Sequence, residues 1–496
     1  MIQTKDTKRS LVIPKWIPLS NIIRNPENLK PRKFPFRVNP KTTDELNAEL
    51  KLFRDNPNKF LALDILSSAI VLDDKIVIKE INEYLTKINS FPRAIENLIR
   101  NSLDKNIYKY GEDINTSVSI LRKKLNSYPK NPLLWLELGR LNTIKGHYDK
   151  ANRCITIAIS LAPYERYIVR SAFRYYLHIG DFDKAYYYAK RAADFSSDPF
   201  LKSIEVNGAI LNDMKLSKIK KINLKLIPIN SFFQYSELIE SIGMIDLKLG
   251  NDQKAKKNFR LAWSEPTSNV VSHAEWIIRN RFPAMLEDSN LDFSQSFEAQ
   301  TWRHYYNLEL DRAIISVRQW ILEEQYSSHP FLLGSSLLTQ ASNPQEAINI
   351  ATEGLIANPD DLPLKNNLAY AYLINNDVSN AELILDSFPK DISDYDRIFY
   401  YATKGLLEFK KRNVSTGRQL YNDSIELSQR MNEIILSKKA LLNLAIAEFE
   451  SKNQEAILFA KKVIEYVKNS TLPDIRILVE RLEKLINLRI EKEGNY

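Results

Sequence analysis

A chain of 496 residues with one cysteine, five histidines and 12 glycines has little of what most site chemistries need. With Cys154 alone no disulfide can close within the chain, and its apolar neighbours read it as a small buried hydrophobe. His147, His178, His273, His304 and His329 lie far apart, and neither an HExxH nor a CxxC spacing occurs, so no metal site is signalled. A phosphate-cradling Gly-x-x-x-x-Gly-Lys loop is missing, as is a Gly-x-Ser-x-Gly elbow, which Leu333-Gly334-Ser335-Ser336-Leu337 suggests only superficially. The acid pairs Asp73-Asp74 and Asp360-Asp361 read as helix caps or solvated turns. No run approaches about 18 apolar residues, and no apolar stretch follows the charged start as a secretion signal requires. These absences lead to the expectation of a soluble, cytoplasmic, non-enzymatic protein with no cofactor, no metal and no membrane segment.

What is present is unevenly placed. The net charge is +9, and residues 1–41 hold ten Lys or Arg against Asp6 and Glu27, so the arm carries nearly all of it. The remainder is close to neutral, which argues against a general affinity of the whole body for nucleic acid. Residues 1–43 also hold six of the 21 prolines, which remove amide donors and keep the backbone extended. Trp16, Phe34 and Phe36 interrupt this arm, and aromatics are unusual in a disordered tail. Two readings stay open: the arm packs on its own chain, or Lys8, Arg9, Lys15, Trp16, Lys30, Arg32, Lys33 and Arg37 reach an acidic partner or nucleic acid. A second basic run, Lys215 to Lys225, carries five lysines and reads as a solvated face or a phosphate ledge.

From Thr43 onward the apolar spacing is helical, with no strand pattern. Residues 132–163 contain Pro132-Leu-Leu-Trp135-Leu-Glu-Leu138-Gly139, Gly146-His-Tyr-Asp-Lys-Ala151, Ile155, Ala158 and Pro163. A step of 34 residues from Gly146 lands on Gly180, where Gly180-Asp-Phe-Asp-Lys-Ala185 nearly repeats Gly146-His-Tyr-Asp-Lys-Ala151. The register returns at Ile239, Gly243, Gly250, Ala255 and Phe259, and more softly in later segments. In these residues the chain resembles the tetratricopeptide repeat family.

The resemblance implies an all-α fold: a right-handed α-solenoid of stacked antiparallel helical hairpins with an extended basic N-terminal arm. The expected organisation is an arm over 1–43, divergent hairpins over 44–130, repeats over 131–268 and an irregular connection over 269–293. Further repeats follow over 294–470, then a capping helix over 471–496. In that family the first helices of successive hairpins line a concave groove. The groove-facing positions correspond here to Leu133, Leu136, Arg140, Thr143 and Ile144, then to Tyr167, Arg170, Arg174, Leu177 and His178. Arg140, Arg170 and Arg174 would converge near Tyr167, where guanidinium forks suit carboxylate or phosphate; the other reading is that they are solvated or paired within the chain, with Asp181 and Glu137 nearby in sequence. A softer hairpin adds Trp302, Tyr305 and Tyr306, read either as interface anchors or as core. The lysine and asparagine clamp by which the best-known members hold acidic tails is not visible, since Leu136 and Arg140 stand in its place.

The functional expectation is a non-enzymatic scaffold or regulatory subunit with a protein partner, a peptide or folded chain of acidic character, in the groove. The alternative is a nucleic-acid-associated subunit working beside a separate effector enzyme. The oligomeric state is not legible.

Overall fold

The computed structural model describes residues 9–18, 43–72, 74–88, 114–214, 232–287, 289, 291–451 and 455–494. Among them there is no strand. The chain divides into two compact units, Ile17–Leu138 and Met1–Trp16 with Gly139–Tyr496. Residues 9–16 thus fall in the unit of the later repeats, not in that of the helices that follow them directly.

Unit Ile17–Leu138 contains α1 (Thr43–Asp55), α2 (Lys59–Leu72), α3 (Lys75–Leu85), α4 (Ile114–Ser127) and the start of α5 (Pro132–Ile144). Leu46, Phe53, Ile65, Leu66 and Ile81 form the core of α1–α3. Asp74 caps α3, its carboxylate accepting from the amides of Ile76 and Val77.

The larger unit continues from α5 with α6 (Tyr148–Leu161), α7 (Arg166–His178), α8 (Phe182–Phe195), α9 (Pro199–Leu211), α10 (Phe232–Lys248) and α11 (Asp252–Ala262). Then come α12 (Ser268–Asn280), α13 (Phe297–Tyr306), α14 (Leu310–Glu323), α15 (Ser328–Gln340), α16 (Pro344–Ala357) and α17 (Leu362–Ile374). It closes with α18 (Val378–Asp386), α19 (Asp394–Lys410), α20 (Val414–Arg430), α21 (Ile434–Glu450), α22 (Ala456–Val467) and α23 (Pro473–Gly494). These are stacked helical hairpins, as the resemblance implied.

A single turn recurs where the first helix of a hairpin ends. One residue enters the left-handed region, and the next amide bonds back to the carbonyl five residues earlier, satisfying a helix end that would otherwise be orphaned. Gly146, Gly180 and Gly250 take this place at φ 68°, 78° and 76°. Leu308, Ser342, Asn376 and Arg412 take it without being glycine, at φ 63°, 60°, 60° and 67°. The closing bonds include His147 N to Asn142 O at 2.8 Å and Asn413 N to Glu408 O at 2.9 Å. Hence the repeat runs on through segments in which the glycine signature fades. Within a hairpin, close approach is set by small residues: a Cβ on Gly243 would lie 2.6 Å from Phe259.

One expected boundary needs correction. The segment 269–293, expected to be an irregular connection, is helical through α12 and then makes two 3-10 turns, Pro283–Leu286 and Phe293–Gln295. The repeat register fades there, but Val270, Val271, Ala274, Ile277 and Ile278 keep helical spacing and are all buried. Cys154 is buried in α6 as a free thiol.

Candidate functional site

The groove along the first helices of the central hairpins is occupied by the chain's own residues 9–16. Sequence explains the form of this segment: Pro14 and Pro18 cannot donate, and each biases its predecessor away from helix. The segment has no regular secondary structure, so its main chain needs partners from elsewhere. Asn207 on α9 supplies one, donating to the Val12 carbonyl at 2.6 Å. The Lys15 amide donates to Asn269 Oδ1 at 3.3 Å, and the Trp16 amide donates to the Tyr326 hydroxyl at 3.1 Å.

Side chains anchor both ends. Arg9 spans Glu275 at 3.0 Å and Glu298 at 2.9 Å, with its guanidinium 4.4 Å from the Trp302 ring centre. Lys15 Nζ lies 2.8 Å from Glu323. Trp16 is fully buried, packed edge-on to Tyr175 and tilted against Tyr326, with ring centres 6.1 and 5.5 Å apart. Between the ends, Leu11 and Val12 join the core built by α9–α12. Fixing a backbone costs about 1–2 kcal/mol per residue, while burying an aliphatic side chain returns roughly 1.5–3 kcal/mol. The segment is therefore held by a modest difference between comparable terms. A cavity of about 60 Å³ remains beside it, bounded by Leu11, Ile13, Ser272, His273 and His329.

Arg170 and Arg174 lie on α7 and are matched internally. Arg170 makes a two-pronged pair with Glu237 on α10, at 2.6 and 2.9 Å. Arg174 reaches Glu324 and Ser327, both at 3.2 Å, and lies 5.0 Å from the Tyr326 ring centre. Instead of converging, the two are drawn to different acids. Arg140 is buried near the end of α5, Tyr167 is half-buried at the start of α7, and His178 packs against Tyr148 and Tyr326.

Glu237, Glu240, Glu275 and Glu324 are buried, and Glu298 and Glu323 flank them. Glu237 and Glu324 answer Arg170 and Arg174, while Glu275, Glu298 and Glu323 face Arg9 and Lys15 of the segment. Their burial would raise the carboxyls, yet Arg170, Asn269 and Thr267 hold Glu237 below the usual range, and Arg174 with Lys15 does the same for Glu324. For Lys15, burial would lower the amine, but Glu323, Glu324 and Glu298 outweigh it and hold it above its ordinary value. Glu240 differs. Its burial outweighs His273 at 2.7 Å and the Trp263 indole at 3.1 Å, and its carboxyl is pushed up.

The second predicted cluster is a packed core element. Trp302 and Tyr305 are buried, Tyr306 packs against both, and the Arg279 guanidinium stands 3.4 Å from the Tyr306 ring centre. The Tyr305 hydroxyl donates to Asp474, at the start of α23, and Lys439 pairs with the same carboxylate. Burial would raise Asp474, and Lys439 and Tyr305 instead hold it far below the carboxylate range. The terminal helix α23 thus faces Gln340 on α15, Asn367 and Tyr370 on α17, Thr403 on α19 and Asn443 on α21 across a cavity of about 390 Å³.

Lys8, Lys30, Arg32, Lys33, Arg37 and the run Lys215 to Lys225 lie outside the described residues. Among the described residues no group of His, Cys, Asp or Glu is placed to hold a metal, and no helix is long and apolar enough to cross a membrane. Sequence reasoning missed Asn207, Asn269, Glu275, Glu298, Glu324 and Tyr326. Asn207 alone carried a signal: a poor helix former inside the otherwise apolar run of α9 needs a buried partner.

Neither a family model nor a curated protein matches the chain. Among solved structures, it is similar to a crystal structure of yeast Tom70 at 15% identity and TM-score 0.28, over 76% of this chain and 93% of that one. It is also similar to a crystal structure of the APC/C hetero-tetramer Cut9-Hcn1 at 12% identity and TM-score 0.34, over 88% and 92% respectively. No residue role passes from either to this chain.

Proposed function

We propose that this chain is a non-enzymatic interaction scaffold that takes a non-helical stretch of a protein partner along the groove lined by α7, α9, α12 and α13. One observation carries this reading: the groove already holds a peptide segment, gripping its main chain through Asn207, Asn269 and Tyr326. Main-chain recognition suits a polypeptide ligand, because every peptide offers the same amides and carbonyls. The surrounding carboxylates favour a ligand with basic ends. The nucleic-acid alternative draws less support, since Arg9, Lys15, Arg170 and Arg174 each already face a carboxylate.

The test is affinity purification with the full chain as bait, after nuclease treatment and at low and high salt. Support would be a stoichiometric protein retained in both washes by wild type and lost from Asn207→Ala/Asn269→Ala. Nucleic acid retained at low salt and shed at high salt, with no protein dependent on the two asparagines, would overturn the reading.

A further inference from the structure

Residues 9–16 sit in the groove as a ligand sits, and they do so imperfectly. Trp16 Nε1 and Asn207 Oδ1 are buried with no hydrogen-bond partner among the described residues. The 60 Å³ cavity lies directly along the segment, with Ile13 at its edge. The features that do hold it are of a kind a separate chain could satisfy equally: three main-chain bonds, a carboxylate pair for a guanidinium, one carboxylate for an amine and an aromatic box for an indole.

We infer that residues 9–16 are an exchangeable occupant of the groove, and that the partner displacing them is a protein segment of the same chemistry: an arginine, an aliphatic pair and a Lys-Trp end in the spacing of Arg9, Leu11, Val12, Lys15 and Trp16. The inference rests on the groove being the recognition face. Charge complementarity selects this occupant over an acidic peptide, because Glu275, Glu298 and Glu323 would be left facing like charge. Covalent attachment gives the chain's own segment a local concentration on the order of millimolar. A partner of equal intrinsic affinity is therefore excluded at ordinary concentrations. Only one that fills the cavity and satisfies the unmatched polar atoms, or one presented in several copies, gains entry.

The experiment is fluorescence anisotropy with a dye-labelled synthetic peptide of residues 9–18. It is titrated against full-length wild type, Arg9→Glu/Trp16→Ala, and that double variant with Asn207→Ala/Asn269→Ala added. The expected result is at least a hundredfold tighter binding to the arm variant than to wild type, with the gain removed by the two groove substitutions. Equally weak binding to all three proteins, at unchanged helical circular dichroism, overturns the inference. Hydrogen exchange on wild type decides the matter if the arm variant does not fold. The hydrogen-bonded amides of Lys15 and Trp16 exchanging faster than those of α9 support a segment that opens by itself, and exchange at the α9 rate shows that it leaves only on unfolding and overturns it. A partner captured equally by wild type and arm variant, and lost on changing Asn207 and Asn269, would leave the scaffold reading standing while ending this one.

Discussion

Glu324 and Glu240 are both buried carboxylates, and their surroundings push them in opposite directions. Glu324 has Arg174, Lys15, the Trp320 indole and the Tyr326 hydroxyl, and is held below the ordinary range. A depressed carboxyl contributes stability that is fully present above its unfolded value, about 4.3, and is lost as pH falls through the lower folded value. Glu324→Gln should therefore cost about 3 kcal/mol at neutral pH, since it leaves the buried Arg174 without its carboxylate, and the cost should shrink in acid. Glu240 is raised, so its ionised form is the strained one, and stability falls as pH rises from the unfolded towards the folded value. Glu240→Gln should gain on wild type over that same rise, because the amide still accepts from Trp263. Urea denaturation of both variants at pH 4 and pH 7 checks the pair; parallel behaviour would show that the two environments are not distinct. None of this was legible in the sequence, because nothing local marks either glutamate as buried or names its partner.

At the scale of the helix and its turn, the repeated left-handed residue offers a comparison within one protein. Gly146 and Gly180 share nearly the same backbone conformation, yet a Cβ on Gly180 meets nothing within 4 Å, and one on Gly146 would lie 2.4 Å from the Ile356 carbonyl oxygen. Gly180→Ala should cost about 1 kcal/mol from the backbone alone, and Gly146→Ala at least twice that, because main chain cannot swing aside. Arg412 is exposed and strained in the same conformation, so Arg412→Gly should stabilise by about 0.5–1 kcal/mol. Thermal denaturation of the three variants gives the order. Glycine made the turn visible in the sequence at 146, 180 and 250. Leu308, Ser342, Asn376 and Arg412 hid it elsewhere, since a packed hairpin can hold a non-glycine residue in a conformation it would not choose alone.

Across the whole larger unit, stability in a hairpin array comes chiefly from neighbours in sequence, and the docked segment adds ties between distant ones. Trp16 packs on Tyr175 of α7 and on Tyr326 beyond α14, and Arg9 ties α12 to α13. Trp16→Ala should thus broaden the thermal transition and lower its onset while leaving helicity at low temperature unchanged. An equally sharp transition, merely shifted, would show that the segment adds stability without adding cooperativity. By itself the sequence determined that the chain is helical, where its clearest hairpins turn, and that a proline-rich basic arm precedes them. Those properties depend on residues a few positions apart, whose spacing and backbone preferences act before any tertiary contact forms. Only the tertiary structure decided that Arg170 and Arg174 are paired with carboxylates, that Glu275, Glu298 and Glu323 await basic side chains, and that residues 9–16 supply them. The pairs responsible, such as Arg9 with Glu298 and Arg174 with Glu324, stand 289 and 150 residues apart, and charge complementarity over such distances leaves no local pattern to read.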